Sequence, residues 1–176
     1  MAELTINGAT IETEASLDTP LLYVLTDELQ LQGPRFGCGL AQCGSCSVLI
    51  DGVETRSCIT PIEALSDKHI TTLEGITQYY AAQTGQPRTA STPLQDALVE
   101  EQAIQCGYCY NGMIIKGTEL LLDNPDPSDS EIRRAMNGHL CRCGTYPKIL
   151  SAIKKASREM LASNGQIAVP VREESV

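Results

Sequence analysis

The chain has 176 residues, enough for one large domain or two small ones, and its 22 acidic residues against 13 basic ones give a formal net charge of −9. Because the basic residues form no cluster, the composition excludes nucleic acid as a partner, and no apolar stretch approaches the ~18 residues that span a bilayer. Residues 1–12 lack the basic and apolar segments of a secretion signal, so we expect a cytoplasmic protein whose thiols stay reduced.

The first third of the chain predicts a small sheet packed on one helix. Asn7-Gly8 and Asp51-Gly52 are dipeptides typical of tight hairpin turns, and each lies between two stretches with strand-like patterning. Pro20 is expected in the first position of a helix that Asp18 or Thr19 caps. The predicted strands are 2–7, 10–14, 47–50, 53–57 and 70–73.

A glycine-rich segment with three cysteines lies between the two hairpins. Cys38, Cys43 and Cys46 read C-x4-C-x2-C, and Cys58 follows after eleven intervening residues. This is the spacing associated with plant-type 2Fe-2S clusters. The neighbouring glycines allow backbone N–H groups to approach the sulfur atoms closely. We therefore predict that this first quartet holds a 2Fe-2S cluster.

The second half of the chain predicts four helices after a linker. Residues 84–91 are polar, with glycine and proline but no periodicity, which is typical of a domain boundary. Apolar residues then recur at helical spacing in segments 92–102, 108–123, 128–136 and 146–162. We expect one domain at 1–83, a second at 84–163, and a C-terminal tail at 164–176 that is either disordered or laid on a partner.

A second quartet of cysteines falls in this helical half. Cys106 and Cys109 read C-x2-C, and Cys141 and Cys143 read C-x-C after a long gap. Each pair lies near the start of a predicted helix, where the helix dipole favours an anionic centre. No cysteine is left over. Two complete sets of thiolate ligands indicate two one-electron centres, and two such centres on one small chain indicate an electron relay.

The cysteines have two rival interpretations. Zinc sites typically use paired C-x2-C knuckles, and neither the C-x4-C spacing in a glycine-rich loop nor the C-x-C pair is typical of zinc. A disulfide framework requires a secreted context, which the N-terminus does not indicate. A zinc-stapled interaction module and a free-standing two-cluster ferredoxin are kept as alternative functions.

Five segments of the chain, taken together and in this order, resemble the small iron-sulfur subunit of the molybdenum hydroxylases, the xanthine dehydrogenase family. The segments are GCGLAQCGSCSVLIDG at 37–52, SC at 57–58, TTLEG at 71–75, QCGYC at 105–109 and GHLCRCGTYPKI at 138–149. The resemblance covers about residues 3 to 160. It implies an α+β fold, in which an N-terminal β-grasp, plant-type ferredoxin-like domain precedes a C-terminal four-helix bundle, with one 2Fe-2S cluster in each.

The resemblance also implies that this chain has no catalytic residues and serves as an electron-transfer subunit. In the family a large partner subunit carries molybdopterin, and electrons pass through the two clusters to FAD on a third subunit or to a cytochrome. By match to the family motifs, Gln105 would hydrogen-bond the pterin and Cys143 would ligate iron beside it. The substrate is expected to be an N-heteroaromatic compound or an aldehyde. Tyr110 and Asn111 are expected to shape partner contacts.

Some residues have less specific interpretations. His69 and His139 are expected to be surface or packing residues, because both quartets are already complete in sulfur. The apolar residues Ile114, Ile115 and Leu150 have two interpretations, either docking against the large subunit or forming the core of the helical domain.

Overall fold

The computed structural model describes residues 2–163, which form a mixed α/β fold. The strands are β1 Ala2–Ile6, β2 Ala9–Thr13, β3 Ser47–Ile50, β4 Val53–Arg56 and β5 His69–Thr71. The α-helices are α1 Leu21–Tyr23, α2 Ile76–Thr84, α3 Pro93–Glu100, α4 Tyr110–Asp123, α5 Asp129–Ala135 and α6 Tyr146–Ser163. A π-helical turn spans Val24–Glu28, and 3-10 turns span Ile62–Leu65 and Leu73–Gly75. The predicted tail at 164–176 lies outside the described residues.

The five strands form one sheet in the order β2-β1-β5-β3-β4. Both predicted hairpins are confirmed, and Asn7, Gly8, Asp51 and Gly52 take the positive φ angles that tight hairpin turns require. Strand β5 lies between the hairpins, parallel to β1 and antiparallel to β3. The last strand in the chain therefore joins two hairpins that would otherwise be separate ribbons.

The first helix differs from its prediction. Pro20 is not its first residue but precedes it in extended conformation, with φ −61° and ψ 135°, and bridges to Pro61. The helix consequently begins at Leu21 and widens into the π-helical turn after one turn. Four neighbouring aliphatic side chains are buried here: Leu21, Val24 and Leu25 belong to the core beneath the sheet, and Leu22 clusters with Cys46 and Cys58.

Each half of the chain has its own hydrophobic core. Buried aliphatic residues of β1, β3, β5 and the first helix make up the first core. The second core is built mainly from α3, α4 and α6, and Leu49 of β3 also belongs to it. Ile114 and Ile115 are fully buried there, so the docking interpretation is wrong for these two residues. Leu150 packs against the same core and is partly buried.

Helix α2 was not predicted from the sequence. Of its nine residues only Ile76 is buried, and Tyr79 and Tyr80 pack against the second core from outside. With so few buried positions its apolar spacing is weak, which is why the sequence carries no clear helix signal. Residues 85–92, which connect α2 to α3, contain no helix or strand.

The two halves are in direct contact where α4 begins. The buried Asn111 side chain donates from Nδ2 to the carbonyl oxygens of Ser45 and Ser47, at 2.9 and 2.8 Å. A Cβ atom on Gly112 would lie 2.3 Å from the carbonyl oxygen of Gly44, so only glycine permits this approach. Asn111 therefore joins the two halves of this chain, and the expectation that it shapes contacts with a partner is wrong. No helix within residues 2–163 has the length and apolar character needed to cross a membrane.

Candidate iron-sulfur sites

The first site is formed by one loop and the ends of two strands. Cys38 and Cys43 lie in the irregular loop that precedes β3. Cys46 immediately precedes β3, and Cys58 follows the end of β4 by two residues. Because β3 and β4 are the two arms of one hairpin, Ser47 pairs with Arg56 and the chain segments carrying Cys46 and Cys58 are held side by side.

The four thiols of this site form an outer and an inner pair. Cys38 and Cys43 are partly exposed, whereas Cys46 and Cys58 are only 2% and 8% exposed. Burial, with a contribution from the adjacent Cys58 side chain, raises the pKa of the Cys46 thiol to about 11. The inner pair is therefore shielded from solvent, and the outer pair faces the loop surface.

In the outer pair, the Cys38 sulfur accepts from two backbone N–H groups. Burial by itself would raise the pKa of Cys38, but N–H groups of Leu40 and Gln42, at 3.3 and 3.2 Å from the sulfur, outweigh burial and lower this pKa to about 7. A Cβ atom on Gly37 would lie 2.7 Å from the sulfur of Cys43, so glycine leaves the space that this thiol occupies. The loop thus stabilises negative charge on sulfur.

The second site lies at the starts of α4 and α6. Cys109 is the N-cap residue of α4, and Cys106 lies three residues before it. Cys141 and Cys143 lie in the loop that leads into α6, where Cys141 is buried and Cys143 is exposed. The four cysteines line one cavity whose wall includes Leu98, Met113 and Ile149. As predicted, each pair of thiols lies near a helix N-terminus.

The thiols of the second site also form an outer and an inner pair. Cys106 and Cys143 are exposed, and the pKa of Cys106 is lowered first by the backbone N–H of Tyr108 and then by the Cys143 thiol. Burial raises the pKa of Cys109 to about 12, with a further contribution from Cys141. Cys106 and Cys143 are therefore the outer pair, and the less exposed, inner pair is Cys109, which is partly exposed, with Cys141, which is buried.

Cys141 differs from the other buried thiols. Burial would raise its pKa, but the hydroxyl and backbone N–H of Thr145 outweigh burial and lower the pKa to about 7. The Thr145 hydroxyl lies 3.3 Å from the Cys141 sulfur. The Cys141 backbone N–H in turn donates to the Tyr146 hydroxyl at 2.8 Å. Thr145 was not singled out from the sequence, although it immediately precedes α6, where capping residues commonly occur.

Gln105 and Cys143 lie together at the second site. Both side chains are exposed and both line the cavity that the four cysteines share. They are therefore accessible to a group presented by another chain. Of the two histidines, His69 is exposed on β5, and His139 is buried two residues before Cys141.

The paired thiols fit a binuclear cluster. A 2Fe-2S cluster is held by four cysteine thiolates, and each quartet here supplies two pairs, one outer and one inner. The donor set, the backbone N–H groups at Cys38 and the helix starts at the second site all suit an anionic iron-sulfur centre.

Comparison with known proteins supports the same two regions. A family model described as a 2Fe-2S iron-sulfur cluster binding domain matches residues 4–72, and one described as a 2Fe-2S binding domain matches residues 72–154. Together the two models span both cysteine quartets. The chain thus contains two 2Fe-2S binding domains.

Curated relatives match nearly the whole chain. A nicotinate dehydrogenase subunit of Pseudomonas putida is 46% identical over 154 residues, which are 88% of this chain and 92% of the relative. An isoquinoline 1-oxidoreductase subunit of Brevundimonas diminuta is 44% identical over 160 residues, 90% of this chain and 99% of the relative. The chain is a 2Fe-2S subunit of the molybdenum hydroxylase family.

The same family is found among solved structures. The crystal structure of quinoline 2-oxidoreductase from Pseudomonas putida 86 contains a chain that is 32% identical, with a TM-score of 0.79 and coverage of 91% of the present chain and 94% of the quinoline 2-oxidoreductase chain. The protein is therefore the electron-transfer component of a heteromeric molybdenum-dependent oxidoreductase. The free-standing ferredoxin and the zinc-stapled module are set aside by this assignment.

Proposed function

We propose that electrons enter this protein at Cys143 and leave it at the loop around Cys38. The observation that carries the proposal is the location of Gln105 and Cys143, which are both exposed and line one cavity with the other three cysteines of the second quartet. A pterin on a partner subunit could approach these two residues without displacing any part of the core. In this proposal Gln105 hydrogen-bonds the pterin, and Cys143 lies beside it.

All eight cysteines are proposed as ligands of two 2Fe-2S clusters, each of which supplies a one-electron redox centre when bound. Cys38, Cys43, Cys46 and Cys58 hold the first, and Cys106, Cys109, Cys141 and Cys143 hold the second. The arrangement of each quartet as an outer and an inner pair supports this assignment. In this proposal burial keeps water from Cys46, Cys58 and Cys141, and hydrogen-bond donors reach Cys38 and Cys141.

The chain offers a short connection between the two quartets. The backbone N–H of Leu140, the residue before Cys141, donates to the carbonyl oxygen of Cys43 at 2.9 Å. A ligand of the first quartet is thus linked to a ligand of the second through one hydrogen bond and a few covalent bonds. This contact supports a relay from the second site to the first.

The proposed partners are a large subunit that binds molybdopterin, and an electron acceptor that carries FAD or haem. The substrate is proposed to be an N-heteroaromatic compound rather than an aldehyde. The nicotinate, isoquinoline and quinoline in the names of the three similar proteins support this choice. The location is proposed to be the cytoplasm.

We also propose that the chain divides into a β-grasp domain at 1–83 and a four-helix iron-sulfur domain at 84–163. The five-stranded sheet with β5 between the hairpins supports the first domain, and the packing of α3, α4, α5 and α6 around the second core supports the second. The segment without regular structure at 85–92 supports the position of the boundary.

The test is purification of the protein with its natural partners, followed by metal analysis and assay. We expect about four iron atoms per copy of this chain, molybdenum in a larger companion chain, and reduction of both clusters by an N-heteroaromatic substrate. Reduction by aldehydes alone would contradict the substrate class. Isolation of this chain without a companion would contradict the partner assignment.

A further inference from the structure

In the described part of the chain, Arg56 is one of two arginines that join the two halves near the candidate sites; the other, Arg35, donates to the Gly107 carbonyl oxygen at 3.0 Å. Arg56 is the last residue of β4, two residues before Cys58, and only 14% of its side chain is exposed. Its guanidinium contacts five groups from both halves of the chain: Glu54 Oε1, Ser47 Oγ at 2.7 Å, His139 Nε2 at 3.0 Å, Gly138 O at 3.1 Å and Ala41 O at 3.3 Å.

These contacts fall on the two cysteine loops. Ala41 lies between Cys38 and Cys43, and Ser47 follows Cys46 and donates its hydroxyl to the Gly44 carbonyl at 2.7 Å. On the other side, Gly138 and His139 immediately precede Leu140, whose N–H binds the Cys43 carbonyl. One guanidinium therefore holds the first cysteine loop against the segment that leads into Cys141.

The surroundings of Arg56 compensate its charge. The Glu54 carboxylate pairs with the guanidinium, and the Glu54 backbone N–H donates to Glu119 of α4 at 3.0 Å. Glu119 in turn pairs with Lys116. His139 is 3% exposed, and its Nε2 accepts from Arg56 because arginine has no acceptor. The N-terminal and helical halves of the chain are thus joined around Arg56 by a network of hydrogen bonds rather than by one surface contact.

We propose that Arg56 is a positioning residue that fixes the distance between the two clusters. This inference rests on the proposed function, in which both quartets hold clusters that exchange electrons. Electron transfer slows steeply as the gap between centres widens, so a loop that shifts by a fraction of an ångström changes the rate without loss of a ligand. Arg56 prevents this shift by maintaining the hydrogen bond between Leu140 and Cys43.

Lysine should not replace Arg56 fully. The guanidinium is a planar fork with five N–H donors, and here they serve acceptors on several sides of it at once. An ammonium group keeps the charge but has only three donors on a flexible stem. The Arg56→Lys variant therefore separates the positioning role from the charge.

The experiment compares Arg56→Ala and Arg56→Lys with the wild type in the assembled complex. The control is Arg133→Ala, because Arg133 is exposed on α5 and, among residues 2–163, its ion pair is with Asp129 of the same helix. Iron and sulfide analysis gives cluster content, and electron paramagnetic resonance of the fully reduced protein gives the spin coupling between clusters. Hydrogen exchange measured at the Leu140 amide reports the interface independently of metal.

We expect Arg56→Ala to retain both clusters but to exchange the Leu140 amide about tenfold faster and to show weaker spin coupling. Arg56→Lys should fall between Arg56→Ala and the wild type, and Arg133→Ala should match the wild type. Wild-type exchange and coupling in Arg56→Ala would overturn the inference. If Arg56→Ala does not fold, Leu140 amide exchange and spin coupling are measured in Arg56→Lys instead, and wild-type values of both would overturn the inference. A wild-type complex without iron would contradict the proposed function, while the Leu140 exchange would still test Arg56.

Discussion

The two cysteine sites of this protein share one plan and differ in how they stabilise sulfur. Each has an outer pair of thiols and an inner pair. At the first site the outer Cys38 receives two backbone N–H groups from its own loop. At the second site the inner Cys141 receives a side-chain hydroxyl, and Cys109 begins a helix. The same ligand type is thus supported by a loop in one half and by helix termini in the other.

The two sites also differ in their exposure. All four thiols of the first site are buried or only partly exposed, whereas Cys106 and Cys143 of the second are exposed. Potential follows hydrogen bonding and burial, so the two clusters are expected to have different potentials. The more open second site suits contact with a cofactor on a partner, and variants in each half can test this contrast.

The largest effect is expected from loss of a ligand, and it should differ between the sites. Removal of a group that only supports a metal ligand costs about 10- to 100-fold, so loss of the ligand itself should cost more. Cys143→Ser should therefore reduce turnover by about 100-fold or more, even with artificial acceptors. Cys58→Ser should abolish the signal of the first cluster while substrate still reduces the second. Steady-state assays measure turnover, and electron paramagnetic resonance measures the cluster signals. Normal turnover of Cys143→Ser would refute the proposed entry of electrons at Cys143.

The next largest effect concerns the contact between the halves. Gly112→Ala places a methyl group 2.3 Å from the backbone carbonyl of Gly44, which cannot rotate away, and should cost about 2 kcal/mol of unfolding free energy. Gly117→Ala in the same helix would place its methyl group against side chains rather than backbone, 2.6 Å from a terminal methyl of Leu94 and 3.8 Å from Ile153. Thermal unfolding should show a decrease of roughly 4–8 °C for Gly112→Ala and a smaller one for the control. Equal decreases would contradict a rigid interface.

A smaller effect should separate the two sites electrostatically. Thr145→Val keeps the side-chain shape but removes the hydroxyl that lies 3.3 Å from the Cys141 sulfur. The potential of the second cluster should become more negative, and that of the first should not change. Thr118→Val is the control, because the buried Thr118 hydroxyl has no hydrogen-bond partner within the described part of the chain. Redox titration followed by paramagnetic resonance would detect an unexpected shift in the control.

The smallest effect concerns one surface ion pair in each half. Hydrogen bonds from Lys68 and Lys154 hold the pKa values of Asp51 and Asp129 below the usual range. Because these folded-state pKa values are lowered, the pairs stabilise the protein above the unfolded carboxyl pKa of about 3.9 and lose this contribution as pH falls through the folded value. Lys154→Gln should raise only the pKa of Asp129 in a nuclear magnetic resonance titration, and Lys68→Gln only that of Asp51. A change at the other carboxyl would show that the halves are electrostatically coupled.

Local signals predicted several elements well. Asn7-Gly8 and Asp51-Gly52 predicted both hairpins, and the helices predicted over 92–102 and 128–136 are confirmed as α3 and α5, which Thr92 and Ser128 cap in capping boxes. In these cases residues that are close together in the chain fix the backbone conformation, so the local sequence is sufficient to predict the turn or the helix start. The first helix was predicted one residue too early because the bridge between Pro20 and Pro61 depends on a segment 41 residues away.

The candidate sites were predicted in part. The cysteine spacing alone predicted both quartets as candidate cluster ligands. The family motifs predicted Gln105 as a candidate contact for the pterin. Neither revealed that Arg56 and Asn111 join the halves, since an arginine at the end of a strand and an asparagine at the start of a helix are ordinary on local grounds. Their partners lie more than 60 residues away along the chain.

The sequence by itself determined the number of cysteines, their division into two quartets, and the family. These features depend only on residue identity and on short spacings along the chain, both of which can be read before the chain folds. Only the tertiary structure decided which thiols are outer or inner, that β5 lies between the hairpins, and that the two ligand loops meet at Leu140 and Cys43. Burial and long-range hydrogen bonds arise only when distant segments pack together.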